Sequence, residues 1–388
     1  KSKEGGENMI RLCKYNQENI LDKIRSGQLD AVALSTTNLI DDIILKINSC
    51  NIFNCLEKYI PDFRADNTTI PYKLIWASAI AAKMRVQTSL TDIPYALNDH
   101  KTLAELGYTL IDDSGNLKNG LMQEGSLRFL LGKYDAELFI NGYIYTIQKG
   151  ILPLLNIEPN IHILDCTDLE VNFKNSNYEM SGISHSKRDN KLTRGYKLAT
   201  LRGIVKDVGL IEDIRFGSIQ SHDLNLSEEM VRTSPVLKPG DILINDRGFM
   251  SRELMNFLKV ERNVDTYIPL RKNMVAYQQA ILSAKEQNIW KPHPNFKRKN
   301  QVISLVEGMG MYWDSDTSEN DVPINTCVVW NKQFDNYFVF ITTDITKSAK
   351  EIVRIYELRP EIEEDYRQLK DFWKIEDFKS TKCKFRLI

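Results

Sequence analysis

The sequence predicts an α/β fold: a mixed sheet carrying a β-rich insertion, preceded by a mostly helical region. Three observations predict it. Apolar residues before position 157 recur at helical spacing. From Ile161 onward, short apolar runs alternate with polar helical stretches. A basic, aromatic-rich segment over 272–336 then interrupts that alternation before the chain turns helical again.

Taken in order, apolar residues at 40, 43, 44, 47, 52, 53, 56 and 60 follow a helical period from Leu39 to Ile60. Pro71 opens a second helix through Arg85, with Thr68 and Thr69 placed to cap it. Further helices are expected over 90–98 and 125–151. Strands are expected over 161–166, 196–205, 209–216, 241–246 and 266–270, with helices over 227–233 and 251–260. Within the insertion, strands fall at 302–307 and 324–330. The run 337–344 closes it, and helix continues to about Lys374. The expected boundaries are therefore 1–157, helical; 158–271, first part of the sheet; 272–336, β-rich insertion; and 337–388, last part of the sheet domain with its helix.

Bulk properties narrow the function classes. A chain of 388 residues suggests two or three domains. Hydrophobic residues at 42% allow a sizeable core, and charged residues at 27% fit a soluble protein. No apolar run reaches the ~18 residues of a membrane span. The polar start, 1–8, has no apolar segment behind it, so no signal peptide is read and a cytoplasmic location is expected. The cysteines at 13, 50, 55, 166, 327 and 383 make no Cys-x2-Cys pair, and the histidines at 100, 162, 185, 222 and 293 keep no zinc spacing. Reduced structural thiols are the reading. Net charge is −1, so any binding of a polyanion must use local basic patches. The densest is the run 290–299, with Lys297, Arg298 and Lys299 at its end.

Two carboxylates draw attention by position. Asp165 and Asp246 each end an apolar run that reads as a buried strand, and ligand sites gather at the carboxyl ends of strands in open α/β sheets. Asp168 competes with Asp165. Strand alternation puts the two on opposite faces, so one of them points into a site. Further on, Tyr356, Arg359, Glu363 and Lys370 stand at offsets 0, 3, 7 and 14. On one helix these fall at roughly 0°, −60°, −20° and −40°, a single narrow face. A solvated face with i,i+4 charge pairs explains such a stripe equally well. Pro360 disfavours helical geometry at Arg359, so the angular argument is firmest for Glu363 and Lys370. Three carboxylates offer hard oxygen ligands to a Mg2+ pair and leave room for phosphate oxygens. Arg and Lys beside the third would grip phosphate, Arg as a fork and Lys as a point charge.

These blocks resemble a known family. The spacing Tyr356-x2-Arg359-x3-Glu363-x6-Lys370 resembles the signature of bacterial insertion-sequence transposases of the Asp-Asp-Glu class. Asp165-Cys-Thr167 is similar to that family's first-Asp strand, and Asp246-Arg-Gly-Phe249 to its second-Asp block. Tyr196-Lys-Leu before a strand fits as well. The likeness covers about 158–375. The long gap from Asp246 to Glu363, 117 positions, suits members with a β-rich insertion before the Glu.

The resemblance implies a ribonuclease-H-like catalytic domain. It implies two Mg2+ ions, replaceable by Mn2+, on Asp165, Asp246 and Glu363. It implies cleavage at element ends and strand transfer, acting on double-stranded terminal inverted repeats and target DNA, in a homodimer near the bacterial nucleoid. Arg359 and Lys370 would contact phosphates and Tyr356 would position the DNA end. Arg247 and the Lys297, Arg298, Lys299 run are assigned to DNA too, and 1–157 is a candidate end-binding domain. Trp290, Trp313 and Trp330 are candidates to hold a flipped base, with core packing the stronger reading for each. Pro360 stands where relatives often carry an aromatic. The stop at Ile388 suggests a C-terminal truncation. Two alternatives follow: a catalytically impaired remnant that only binds DNA, and a metal-dependent nuclease of the same fold.

Overall fold

A computed structural model of the chain describes residues 22–23, 25–28, 38–109, 121–186, 190–205, 208–309, 322–377 and 379–382. Trp313, Cys13, Cys383 and the start of the turn at 206–207 lie outside them. The chain forms two compact units, Lys1–Gly150 with Asp377–Ile388, and Ile151–Glu376.

The described part of the first unit is helical: α1 Leu39–Ser49, α2 Ile52–Tyr59, α3 Tyr72–Met84, α4 His100–Glu105, α5 Glu124–Gly132 and α6 Ala136–Thr146. Asn38 caps α1 in a capping box with Asp41. The single helix expected over 39–60 is two, because Asn51 takes a left-handed backbone conformation with φ 62°. Asn tolerates that conformation better than most residues do. Pro71 itself precedes the first turn of α3, and neither Thr68 nor Thr69 caps it. The expected helix over 90–98 is only a 3-10 turn at Ile93–Tyr95. Phe53, Leu74, Trp76, Leu97, Leu103 and Leu127 centre this unit's own core. Among the described residues no helix is long and apolar enough to cross a membrane.

The second unit is a mixed α/β architecture on one ten-stranded sheet, consistent with the ribonuclease-H-like expectation. Its strands are β1 Ile161–Val171, β2 Gly182–Ser186, β3 Lys191–Val205, β4 Val208–Ser218, β5 Ile242–Asn245, β6 Asp265–Pro269, β7 Lys291–Pro292, β8 Gln301–Met309, β9 Ile324–Asn331 and β10 Asn336–Thr342. The order is β2-β3-β1-β5-β6-β10-β9-β8-β7, with β4 also on β3. β5 runs parallel to β1 and to β6, and the other pairings are antiparallel. The α-helices that follow β1 are α7 Asp223–Thr233, α8 Arg252–Val260, α9 Val275–Gln287, α10 Ala349–Tyr356 and α11 Glu361–Asp371.

The described residues of 272–336 extend the main sheet. They open on α9, and β8 and β9 join the main sheet through β10, which pairs with β6. Tyr277, Ala280 and Ala284 of α9 pack on Val306, Val328 and Val339 of this extension.

Strand parity sorts the rest of the sheet's two faces. Leu164, Ala199, Leu201 and Leu243 pack with Met230 of α7 and Leu254 and Leu258 of α8. Their neighbours Ile163, Ile204 and Ile244 point the other way, towards Ile352 and Val353 of α10 and Ile362 and Tyr366 of α11. That second face carries the candidate site.

Candidate active site

β1 and β5 bring two of the carboxylates together. Their parallel register pairs Ile161 with Ile242 and Leu164 with Asn245. One step further along, Asp165 stands beside Asp246, which directly follows β5. The 81-position spacing of the two aspartates is the same as the offset of that register. Neighbouring strands lie roughly 4.8 Å apart, so the two side chains are close neighbours at one edge of the site. Asp165 has the parity of Ile163, and Asp246 that of Ile244, so both face α10 and α11.

The structure corrects one expectation here. Asp165 is not at a strand end, because β1 runs on to Val171 against β3. β5 leaves β1 after Leu164, so the site opens where a neighbouring strand stops. Asp168 has the opposite parity. It stands across from Lys197 on β3, with Lys197 Nζ 3.9 Å from its carboxylate and 2.5 Å from Asp223. It does not join Asp165.

The third carboxylate arrives on a second element. A single helix through Tyr356 and Lys370 does not form. α10 ends at Tyr356, tight turns carry Leu358–Pro360, and α11 restarts at Glu361. The cause is Pro360, which has no N–H for a continuing helix and sits as the residue preceding α11. Tyr356 and Arg359 therefore do not share a helical face with Glu363 and Lys370.

The break nevertheless aims Arg359 inward. Its Nη2 donates to Asp165 Oδ2 at 2.9 Å, and its Nη1 donates to Glu363 Oε1. Asp165 Oδ1 accepts the Cys166 N–H at 2.9 Å. Burial pushes the Asp165 carboxyl up to about 6, against the Arg359 charge and the Cys166 N–H, and the nearby Asp246 and Glu363 charges add to the rise. The Arg359 guanidinium feels all three acids, and they hold its proton more firmly than usual despite burial. Among the described residues no group of three His, Cys, Asp or Glu side chains is gathered tightly enough to hold a metal ion. A guanidinium bridges two of the acids instead. The donor set itself, three carboxylates, fits a hard divalent cation.

Tyr356 packs its ring on Phe340, centroids 4.6 Å apart, and burial together with Asp246 and Asp165 pushes its hydroxyl pKa up. Lys370 donates to the Asp168 carbonyl, with Glu376 3.7 Å away. Arg247 is exposed in the 3-10 turn Arg247–Phe249 after Asp246. Lys297, Arg298 and Lys299 are exposed on a turn whose Arg298 lies 3.3 Å from Glu357. Arg298 and Tyr356 line one cavity of ≈ 420 Å³, so this turn borders the Tyr356–Pro360 segment. Trp290 and Trp330 meet at a tilt, ring centroids 5.4 Å apart, Trp330 stacks on Tyr337, and Trp290 and Tyr337 pack against the core beside α9. His222 caps α7 through its Nδ1, a turn role.

Sequence reasoning missed the residues that fix α11. Thr200, Arg202 and Ile204 of β3 share the site's face. Thr200 Oγ1 lies 2.7 Å from the Tyr366 hydroxyl. Arg202 Nε donates to Asp365 at 2.5 Å, and its Nη1 donates to Glu361 at 2.9 Å. An arginine inside the apolar run 196–205 was the available signal, since a buried charge needs partners. Replacing Arg202 by Met should destabilise the unit by roughly 1–3 kcal/mol, below the cost of a fully buried pair because Glu361 is half exposed. Faster amide exchange confined to α11 would be the signature, and unchanged exchange there would refute it.

The model of one family, the transposase DDE domain, matches residues 158–383. The chain belongs to that family. Among curated proteins none matches the chain. The match takes in all ten strands and α7–α11 of the transposase domain, together with Asp165, Asp246, Glu363 and the Arg202 anchor.

Proposed function

We propose that this chain catalyses DNA transposition by divalent-metal-dependent cleavage at the element's ends and transfer of the cut strand to target DNA. One observation carries the reading. Two buried-strand aspartates stand side by side in register, and an arginine from the Glu363 segment reaches one of them and Glu363 together.

Asp165, Asp246 and Glu363 would hold two Mg2+ or Mn2+ ions. When bound, such a pair activates the attacking oxygen and stabilises the leaving one. The protein's own groups do the rest. Arg359 beside the acids, and Lys370 further along α11 at the Asp168 carbonyl, would supply positive charge to phosphate oxygens, Arg359 through its planar fork. Tyr356, half-buried against Phe340, offers a hydroxyl to the bound end. Exposed Arg247 and the turn of Lys297, Arg298 and Lys299 supply the local positive charge that a chain of net charge −1 needs for a polyanion. Residues 1–157 would contribute to end binding. Two copies would pair the two ends.

The test uses duplexes bearing the inverted repeats that flank the coding sequence, with Mg2+ present. The expected products are 3′-hydroxyl ends and joined strands, both lost in Asp246→Asn. Cleavage that persists unchanged in that variant defeats the proposal. Nicks without joined products would mark a nuclease instead.

A further inference from the structure

Arg359 occupies the place among the acids that a cation would take. Its two Nη groups engage Asp165 Oδ2 and Glu363 Oε1, and the remaining Asp165 oxygen already accepts the Cys166 N–H. Its side chain is largely shielded from solvent, and its Nε is buried with no hydrogen-bond partner among the described residues. The guanidinium is thus held by two carboxylates on different elements, β1 and α11, while its buried Nε–H goes unused. An unused buried donor is costly, and a partner that satisfied it would compete for the group.

A divalent ion and a guanidinium cannot both settle on these oxygens without strong like-charge repulsion. A phosphodiester changes the balance. It offers the fork two oxygens and a negative charge, which a planar guanidinium matches well.

We propose that Arg359 is an internal counter-cation that competes with divalent metal for Asp165 and Glu363, and that an arriving DNA phosphate draws it off, so that metal and DNA binding become coupled. The inference rests on the reading of Asp165, Asp246 and Glu363 as metal ligands. Its consequence is a site that fills with metal efficiently only when DNA is present.

The experiment is Mn2+ titration of the full chain, read by the electron paramagnetic resonance signal of free Mn2+, with and without a short blunt duplex. Without DNA, Arg359→Ala should bind Mn2+ more tightly than the natural chain, by a factor in the range of roughly 5–150 usual for coupled sites. Adding the duplex should tighten Mn2+ binding of the natural chain by a similar factor and that of Arg359→Ala by much less. Arg367→Ala removes an equal charge from α11, where Arg367 pairs with Glu364 rather than with Asp165 or Glu363, and should leave Mn2+ affinity nearly unchanged.

Equal affinities of the natural chain and Arg359→Ala without DNA would overturn the proposal. So would an Arg367→Ala effect as large as that of Arg359→Ala. If Arg359→Ala fails to fold, as judged by circular dichroism, the natural chain still decides: no tightening by the duplex overturns the coupling. Failure of every protein to bind Mn2+, with or without duplex, would sink the metal-ligand reading itself.

Discussion

Replacing Glu363 by Gln should abolish metal-dependent DNA cleavage while leaving the fold intact. Glu363 sits in the first turn of α11 with its side chain 60% exposed, and its described contact is with Arg359. Little packing is lost when it becomes an amide of the same shape. A metal pair, by contrast, loses one of three anionic ligands. A loss of about 4 kcal/mol of transition-state stabilisation, roughly a thousandfold in rate, is the expected scale. Its flanking acids make internal controls. Glu364 is exposed and hydrogen-bonds Arg367, which with Gln368 pulls its carboxyl down to about 2. Glu364→Gln should cleave like the natural chain. Glu361 pairs with Arg202, so Glu361→Gln should act only through the seating of α11. Single-turnover cleavage rates with thermal melts of all three variants provide the check. A Glu363→Gln protein that retains cleavage, or a Glu364→Gln protein that loses it, would remove Glu363 from the proposed site.

The parts of the fold that were legible in sequence are those set by local pattern. The strand runs ending at Leu164 and Asn245, the helices α7 and α8, and the Pro360 interruption all follow from periodicity and proline chemistry. The 81-position spacing of the aspartates carried more information than it showed, since it is the β1–β5 register. What stayed hidden depends on partners distant in sequence. β1 continues past Asp165 because β3 pairs with it as far as Val171, although β5 has already left. The strands of 301–309 and 324–331 look like an insertion, and only the β10–β6 pairing makes them part of the main sheet. The break at Arg359–Pro360 undid the common helical face, yet Arg359 meets Glu363 as its i,i+4 neighbour and reaches Asp165 as well. Arg202 was readable only as a misfit in an apolar strand.

Another such misfit, His162, leads to a large stability effect away from the site. His162 is the second residue of β1 and is fully buried. Its Nδ1 lies 2.9 Å from Glu212 and its Nε2 3.1 Å from Asp241. Three local features build this arrangement. Asp241 directly precedes β5, whose register with β1 starts at Ile161 and Ile242. The β3–β4 ladder passes from Leu201–Asp213 to Arg202–Ile211 and skips Glu212, a bulge that re-aims this side chain. Gly203 stands across from His162 on β3, and a Cβ there would collide with the Glu212 carboxylate.

With a carboxylate on each ring nitrogen, the doubly protonated imidazolium can donate to both. Burial pushes the His162 pKa down, but the hydrogen bonds and charges of Asp241 and Glu212 outweigh it, and the net shift is upward from 6.5. The folded pKa therefore lies above the unfolded one. The resulting stabilisation is complete below about pH 6.5 and is lost as pH rises through the folded value. His162→Ala strands two buried carboxylates without their cation, which should cost about 3–5 kcal/mol near pH 6. The difference between natural and variant chains should shrink as pH rises through the folded pKa, because the natural chain then loses its imidazolium too. Urea unfolding at a series of pH values, with amide exchange followed in β1 and β5, measures both effects. A variant as stable as the natural chain at pH 6 would show that the imidazolium is not what holds Glu212 and Asp241 in the core.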